Sequence, residues 1–469
     1  MDICAVVMAA GKSTRMKSKY SKVVHQVSGK PIIQWVADAL FDAGCMEQVF
    51  IVGEQQDEIR QVLGENVAYV LQEQQRGTGD AVAQAAPFLE GRDGLTIVLP
   101  GDCPMVSAET ISKALKAFEE AEGDCAAIII TAEADDPTGY GRIVRSEDGS
   151  VTGIVEHRDC TEEQLKIKEI NSSMYVFKTP LLLSALGRIG ANNAQGEYYL
   201  TDTIGILIGD GYKVGAVICD FDDTRGVNDC VQLSEVQAIM NRRILEKHMR
   251  NGVQIVDPNS TWIHHAVEIG NDTIILPGTT LMGNTVIGHD CIIGENSRID
   301  SSEIDDGASI DCSIVSESTI GKDCRIGPYS HIRPDCKIAD NVTIGAYVEV
   351  KASTVGEYTR ARHLTYIGDA TVGKNVNFGC GTVTCNYDGQ DKAGCTIEDN
   401  VFIGGNSNIV SSVVLGKDSY IAAGSTVTTD VPALSLSIGR AKQVNKENWV
   451  SDKNRRRGHI SLDNKRSEV

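Results

Sequence analysis

The chain has 469 residues, 42% hydrophobic and 23% charged, with a formal net charge of −20. That length exceeds one ordinary core and predicts two or three domains. The charge argues against nucleic acid as a partner, because a duplex calls for a basic face; the apolar runs are too short to span a bilayer, so no membrane insertion is expected.

The N-terminal MDICAVVMAAGK lacks a basic n-region and enters a strand, unlike a signal peptide. The fourteen cysteines are scattered without CxxC pairs or Cys/His clusters. Reduced thiols and a cytoplasmic location are expected, and a zinc site is not. Ile3–Met8, Val49–Val52, Leu95–Leu99 and Ala126–Thr131 are short apolar runs of buried-strand type. Helical stretches such as Pro31–Ala43 and Thr78–Ala86 separate them. This alternation predicts an α/β doubly wound, Rossmann-like sheet, whose ligands bind beyond the carboxyl ends of the strands.

Strand Ile3–Met8 runs into Ala9-Ala10-Gly11-Lys12-Ser13-Thr14-Arg15-Met16, with Lys22 shortly after. Small residues let the backbone approach a phosphate, and Lys12, Arg15 and Lys22 supply positive charge. GKST invites a P-loop assignment, but Val6 stands where that motif needs glycine. Strand Leu95–Leu99 ends in Pro100-Gly101-Asp102, where a carboxylate can hold a divalent cation over a triphosphate; a turn aspartate fits that position equally well. Gln72 and Gly77-Thr78-Gly79 could present amide and backbone groups to a base, as could any glycine-rich helix start.

VQLSEVQAIMNRRILEKHMRNG carries a helical apolar rhythm and stops at Asn251-Gly252, which predicts a linker helix over 229–250. The period then becomes six. Ile269, Ile275, Leu281, Ile287, Ile293 and Ile299 form one series; Ile314 through Ile344 to Val350 form a second; Ile397 through Ile421 to Val427 form a third. Neither strand alternation nor a heptad gives that period, but hexapeptide repeats winding a left-handed parallel β-helix do. The rhythm slips between Ile310 and Ile314, around Lys351–Tyr366, and at the polar stretch Thr382–Thr396, which is expected to leave the coil. His363 lies beside one slip, with Glu349 as a candidate to orient it. An imidazole suits the removal of a proton from an attacking amine. The expected domains are 1–228, the linker helix 229–250, the β-helix 251–451 and a basic tail 452–469.

AAGKSTRM, SKVVHQVSGKP, LQEQQRGTGDA, LPGDCP, DDPTGYGRIV, GIVEH, EIN, NAQGEYYLTD and GVN follow in one order. That ordered set closely resembles the bacterial bifunctional N-acetylglucosamine-1-phosphate uridylyltransferases / glucosamine-1-phosphate N-acetyltransferases, over nearly all residues to about Arg440. The resemblance implies two-step synthesis of UDP-N-acetylglucosamine, a cell-envelope precursor, with UTP and acetyl-CoA as substrates. It implies a uridine site at Met8, Ala9, Ala10, Gly11, Lys22, Gln72, Gly77, Thr78, Pro100, Gly101 and Asp102. Gly141, Glu156, Asn171 and Asn228 would hold the sugar side, and Asp102 and Asn228 would ligate Mg2+. In the β-helix it implies His363 as the catalytic base, with Arg333 and Lys351 on the sugar phosphate. Tyr366, Asn377, Asn386 and Tyr387 would touch sugar and acetyl group, and Cys380, Gly405, Ala423 and Arg440 would meet coenzyme A. A homotrimer is implied as well. Five departures from the family pattern stand out: Ser13 for glycine, Ser21 for proline, Pro100 for an aromatic, Cys380 for alanine and Gly405 for serine. Two alternatives stay open from sequence: a transferase for another sugar or base with a merely oligomerising β-helix, and a non-catalytic binding subunit on the same folds.

Overall fold

The computed structural model describes residues 2–121, 124–450 and 453; of the basic tail only Lys453 falls among them. The chain divides into two compact units, Met1–Glu268 with Thr280–Asn284, and Ile269–Thr279 with Thr285–Val469. Among the described residues no helix is long and apolar enough to cross a membrane.

The first unit is built on a twisted sheet. Its strands run in the order Lys213–Cys219, Cys125–Glu133, Glu169–Lys178, Leu95–Pro100, Ile3–Ala9, Glu47–Val52, Ala68–Leu71. All are parallel except Glu169–Lys178, which runs against both neighbours. Strands such as AVVMA and VFIV are apolar at successive positions because helices cover the sheet, so both faces are dry. Helices Thr78–Ala83, Thr179–Leu186 and Asp202–Gly209 contribute Val82, Leu182 and Ile204 to one core with Val6, Val49 and Ile51. Ile32–Asp42 and Ala108–Glu120 pack on each other. The long helix Cys230–Arg250 starts where Asp229 accepts the N–H groups of Val231 and Gln232, a side-chain N-cap.

The second unit is a left-handed parallel β-helix of two- to four-residue strands. Each strand pairs in parallel with the one a coil further on, as in Ile293↔Ile310, Val315↔Ile332 and Ile320↔Ile338. The pairing generates three sheets, and aliphatic residues from all three meet inside. The corners are tight. Most carry one residue in the left-handed region, glycine at some of them, Asp, Asn or Tyr at many others, and residues as varied as Cys312, Glu317 and Leu364 at the rest. The small residue after the inward aliphatic is set by the neighbouring coil: a Cβ on Gly404 would lie 2.5 Å from the amide nitrogen of Ala423.

One expected inward residue is corrected. Ile314 is 41% exposed, and its neighbour Val315 is fully buried. The coil shortens here. Ile304, Ile310, Val315 and Ile320 all point inward, and the corners at Ser301, Cys312 and Glu317 use one residue fewer than six-residue spacing allows. Because side chains alternate across a strand, a one-residue slip reverses which neighbour faces the core. The polar stretch leaves the coil as expected: Val383–Cys385 and Cys395–Ile397 bracket a loop closed by a Tyr387–Lys392 bridge.

Candidate functional site

A cleft of about 660 Å³ opens at the carboxyl ends of Ile3–Ala9, Ala68–Leu71 and Leu95–Pro100. Met8, Ala9, Ala10, Gly11, Lys22, Gln72, Gly77, Thr78, Pro100, Asp102, Asn171 and Asn228 all line it. The strand ends are locked together: Gly101 donates its N–H to Met8 at 2.9 Å, and Val227 donates to the carbonyl of Asp102 at 2.9 Å. The second bond draws the loop bearing Asn228 against the Asp102 strand. Lys22 Nζ forms an ion pair with Asp102 and donates to Asn228 Oδ1 at 2.8 Å, and Arg15 donates to the same oxygen at 2.8 Å. Two hard oxygen donors, Asp102 Oδ2 and Asn228 Oδ1, therefore converge on one cation. Cys103 lies beneath them, its thiol pushed well up by burial and then by the Asp102 charge, so it stays protonated.

Two of the departures acquire a structural role. Ser13 adopts φ 54°, a conformation glycine takes without strain, and its hydroxyl accepts the N–H of Lys22 at 2.8 Å. Ser21 donates its own N–H to Glu58 at 2.8 Å, a bond proline cannot make. Both bonds hold the backbone of the loop that presents Lys22. Pro100 lines the cleft without a hydrogen bond from its side chain.

The far end of the cleft has a different character. Asn171 Oδ1 accepts the Tyr175 hydroxyl at 3.0 Å and the N–H of Ser173 at 3.2 Å. A Cβ on Gly141 would stand 3.4 Å from both Asn171 and Glu156, so Gly141, Glu156 and Asn171 converge. Burial, followed by the Asp159 and Asp202 charges, pushes the Glu156 carboxyl above its usual range, and the Thr201 hydroxyl only partly offsets them. A desolvated acceptor of that kind suits sugar hydroxyls.

In the β-helix the second residue set wraps one corner of the column. Ala346↔His363 pair in register, Gly381 donates to Leu364 at 3.0 Å, Asn406 to Cys380 at 2.7 Å, and Gly424 to Gly405 at 2.8 Å. His363, Cys380, Gly405 and Ala423 are thus stacked coil upon coil along one edge, with the Arg440 chain above Gly424. The adjacent face carries Glu349↔Tyr366 as a cross-strand pair. There Arg333 donates to Glu349 at 2.9 Å, and Lys351 donates to Asp369 at 2.7 Å. Asn386 donates to Asp369 at 2.5 Å and to the Tyr366 hydroxyl at 3.3 Å. Burial acts to raise the Asp369 carboxyl, but the bonds from Lys351 and Asn386 outweigh it and hold the carboxyl below its usual range. Within the chain, Glu349 bonds Arg333 and not His363. Asn377 sits on the sheet face next to His363's strand, and Tyr387 is exposed on the loop, its hydroxyl on the Gly389 carbonyl.

Sequence inspection passed over Gln75, which donates to the Ala10 carbonyl, Asp80, which pairs with Arg76 and accepts from Gln72, and Asp369. The signals were present: GTGDA places a carboxylate in the first turn after Gly77, and Asp369 closes Ile367-Gly368-Asp369 beside a slip of the period.

Nucleotide-scale space at strand ends and a hexapeptide column with a histidine edge define a two-headed transferase. Residues 5–166 match the MobA-like NTP transferase domain family, and 266–301, 317–352 and 394–429 match the bacterial transferase hexapeptide family of six repeats. The "Bifunctional protein GlmU" of Geobacillus sp. (strain WCH70) is 50% identical over 447 residues, 95% of this chain and 97% of the relative. That of Geobacillus thermodenitrificans is 51% identical over the same shares, and that of Caldanaerobacter subterraneus subsp. tengcongensis is 49% identical over 96% and 98%. The chain belongs to the family of bifunctional GlmU proteins. It is a bifunctional nucleotidyltransferase and N-acetyltransferase that makes UDP-N-acetylglucosamine in two steps.

Proposed function

We propose that the two reactions run at the two residue sets described, acetyl transfer on the column and uridylyl transfer in the cleft, the residues of 1–228 serving the second and those of 251–451 the first, with 229–250 as the linker. The observation that carries this proposal is the convergence of Asp102, Asn228 and Lys22 at the strand ends together with the coil-on-coil stack above His363.

On the column, the amine of glucosamine-1-phosphate attacks the thioester carbonyl of acetyl-CoA. His363 takes a proton from the nitrogen, the C–N bond forms, the C–S bond breaks, and coenzyme A leaves as the thiol. Arg333 and Lys351 hold the sugar phosphate. Each is kept in place before binding by a carboxylate, Glu349 and Asp369, which the phosphate must displace or share. Tyr366, Asn377, Asn386 and Tyr387 orient the sugar and acetyl group, and Cys380, Gly405, Ala423 and Arg440 receive the coenzyme. His363 stands exposed on a convex edge, so one chain supplies one wall; a homotrimer, with neighbouring columns closing the site, completes it.

In the cleft, an oxygen of N-acetylglucosamine-1-phosphate attacks the α-phosphorus of UTP and pyrophosphate leaves. The nucleophile is already an anion, so positioning and charge neutralisation do the chemistry. Asp102 and Asn228 offer oxygen donors fitting Mg2+, which also takes phosphate and water oxygens and, when bound, neutralises the triphosphate. Met8–Gly11 and Gly101 bring backbone close to the nucleotide, Lys22 and Arg15 add charge, Gln72, Gly77 and Thr78 read uracil, and Gly141, Glu156 and Asn171 hold the sugar. The substrates, a nucleoside triphosphate and acetyl-CoA, favour the cytoplasm, where the product would supply envelope polysaccharide.

The test supplies glucosamine-1-phosphate, acetyl-CoA, UTP and Mg2+ and reads free thiol and pyrophosphate. Both products are expected, with pyrophosphate dependent on acetyl-CoA. Thiol without pyrophosphate would leave a one-headed acetyltransferase, and neither product would point to a binding subunit.

A further inference from the structure

Gln72 follows the strand Ala68–Leu71, lines the cleft and is only 4% exposed. Its Nε2 donates to Asp80 Oδ2 at 2.7 Å. Asp80 is itself buried in the first turn of Thr78–Ala83, and its other oxygen accepts from Arg76 at 2.8 Å. A carboxylate only accepts hydrogen bonds, so the amide nitrogen of Gln72 must face Asp80 and the amide oxygen must face away. Among the described residues that oxygen has no hydrogen-bond partner. A glutamine amide is otherwise free to turn over and exchange its donor and acceptor.

We infer that Asp80 is a positioning residue that fixes the amide of Gln72 in one orientation and thereby sets the pyrimidine choice of the cleft, UTP over CTP. The inference rests on the proposed role of Gln72 at the base. Uracil presents an N3–H flanked by carbonyl oxygens. The fixed Oε1 accepts that N–H, and the second hydrogen on Nε2 can serve a neighbouring carbonyl. Cytosine presents a bare N3 and an amino group. Against the fixed amide it sets acceptor against acceptor and donor against donor, and a buried mismatch of that kind is strongly rejected. Arg76 reinforces the device from outside by holding Asp80 through its second oxygen. Asp80 touches neither reacting atom; it acts through Gln72.

The experiment measures pyrophosphate release from UTP and from CTP, with N-acetylglucosamine-1-phosphate and Mg2+, in the unaltered chain, Asp80→Asn and Asp80→Ala. The unaltered chain should prefer UTP by more than about 100-fold in kcat/KM. Asp80→Ala should lower that ratio by roughly tenfold or more, mainly through the KM for UTP, and Asp80→Asn, whose amide oxygen can still accept from Gln72, by a smaller factor. If a variant is unfolded in a thermal melt, Arg76→Ala replaces it: the carboxylate stays, its outer restraint goes, and the ratio falls by a smaller factor. An unchanged UTP-to-CTP ratio in the folded variants, or an equal loss with both nucleotides, overturns the inference. No pyrophosphate from UTP in the unaltered chain overturns the uridylyl assignment itself, and the orientation device with it.

Discussion

The cleft and the column solve the problem of placing charged groups in opposite ways. In the cleft, three parallel strands end on the same edge of one sheet, and the loops after them deliver Lys22, Gln72 and Asp102 into one concavity that a single chain closes. On the column, every coil is nearly the same, and the residues proposed for acetyl transfer gather at the corner holding His363 and toward the loop between Val383–Cys385 and Cys395–Ile397. A concave site gains desolvation from its own walls, visible in the raised Cys103 that lines it and in Glu156, raised by burial beside Gly141. On the column His363 and Tyr387 stand exposed while Lys351 and Asn386 are held by Asp369; the proposed site would borrow its second wall.

The sharpest way to break this contrast is to remove the carboxylate at the strand ends. Asp102→Asn should lower uridylyl transfer by about a thousandfold or more, because one of two oxygen donors loses its charge, and leave acetyl transfer unchanged; a pyrophosphate assay beside a thiol assay reads both. Next in size is His363→Ala. Loss of the base should cost acetyl transfer roughly 100- to 10,000-fold and spare pyrophosphate release from preformed N-acetylglucosamine-1-phosphate.

Glu156→Gln sharpens the point about desolvation. The folded carboxyl titrates above its unfolded value, so the folded state binds more protons and its contribution to stability is lost as pH rises through the raised value. Glutamine removes that ionisation. The variant should melt higher than the native chain at neutral pH, with the difference closing below about pH 4.5, the ordinary glutamate range. Its KM for the sugar phosphate should rise roughly tenfold. A lower melting point at neutral pH would contradict the burial account. The smallest effect is expected at Ser13→Gly. Relief of the left-handed backbone and loss of the hydroxyl bond to Lys22 are each worth about 1 kcal/mol and oppose each other, so stability should move by less than about 1 kcal/mol. Kinetic loss confined to the KM for UTP would show that the hydroxyl orders the loop.

Much of both regions was legible in the chain, for different reasons. Strand Ile3–Met8 and its glycine loop were readable because a buried parallel strand is a continuous apolar run and a phosphate loop needs small residues. The period of six was readable because every coil repeats one demand, an inward aliphatic. Ile314 misled because the repeat shortens there. Two aliphatics lie side by side, and only the neighbouring coil decides that Val315 goes in. The partners of the functional groups were not legible. Asp80 beneath Gln72 and Asp369 beneath Lys351 lie eight and eighteen residues along the chain from the groups they hold. Neither spacing signals a contact until strand and coil geometry bring the pair together. Ser13 and Ser21 looked like simple departures until the bonds from Lys22 and to Glu58 gave them partners.

The most direct measurement mixes two separately purified variants, Asp102→Asn and His363→Ala, with glucosamine-1-phosphate, acetyl-CoA, UTP and Mg2+, and follows UDP-N-acetylglucosamine. Each variant alone should make essentially none. The mixture should restore synthesis, the first acetylating and the second transferring uridylyl to the released intermediate. A mixture as inactive as its parts, with each variant lacking both half reactions, would contradict two independent sites on one chain.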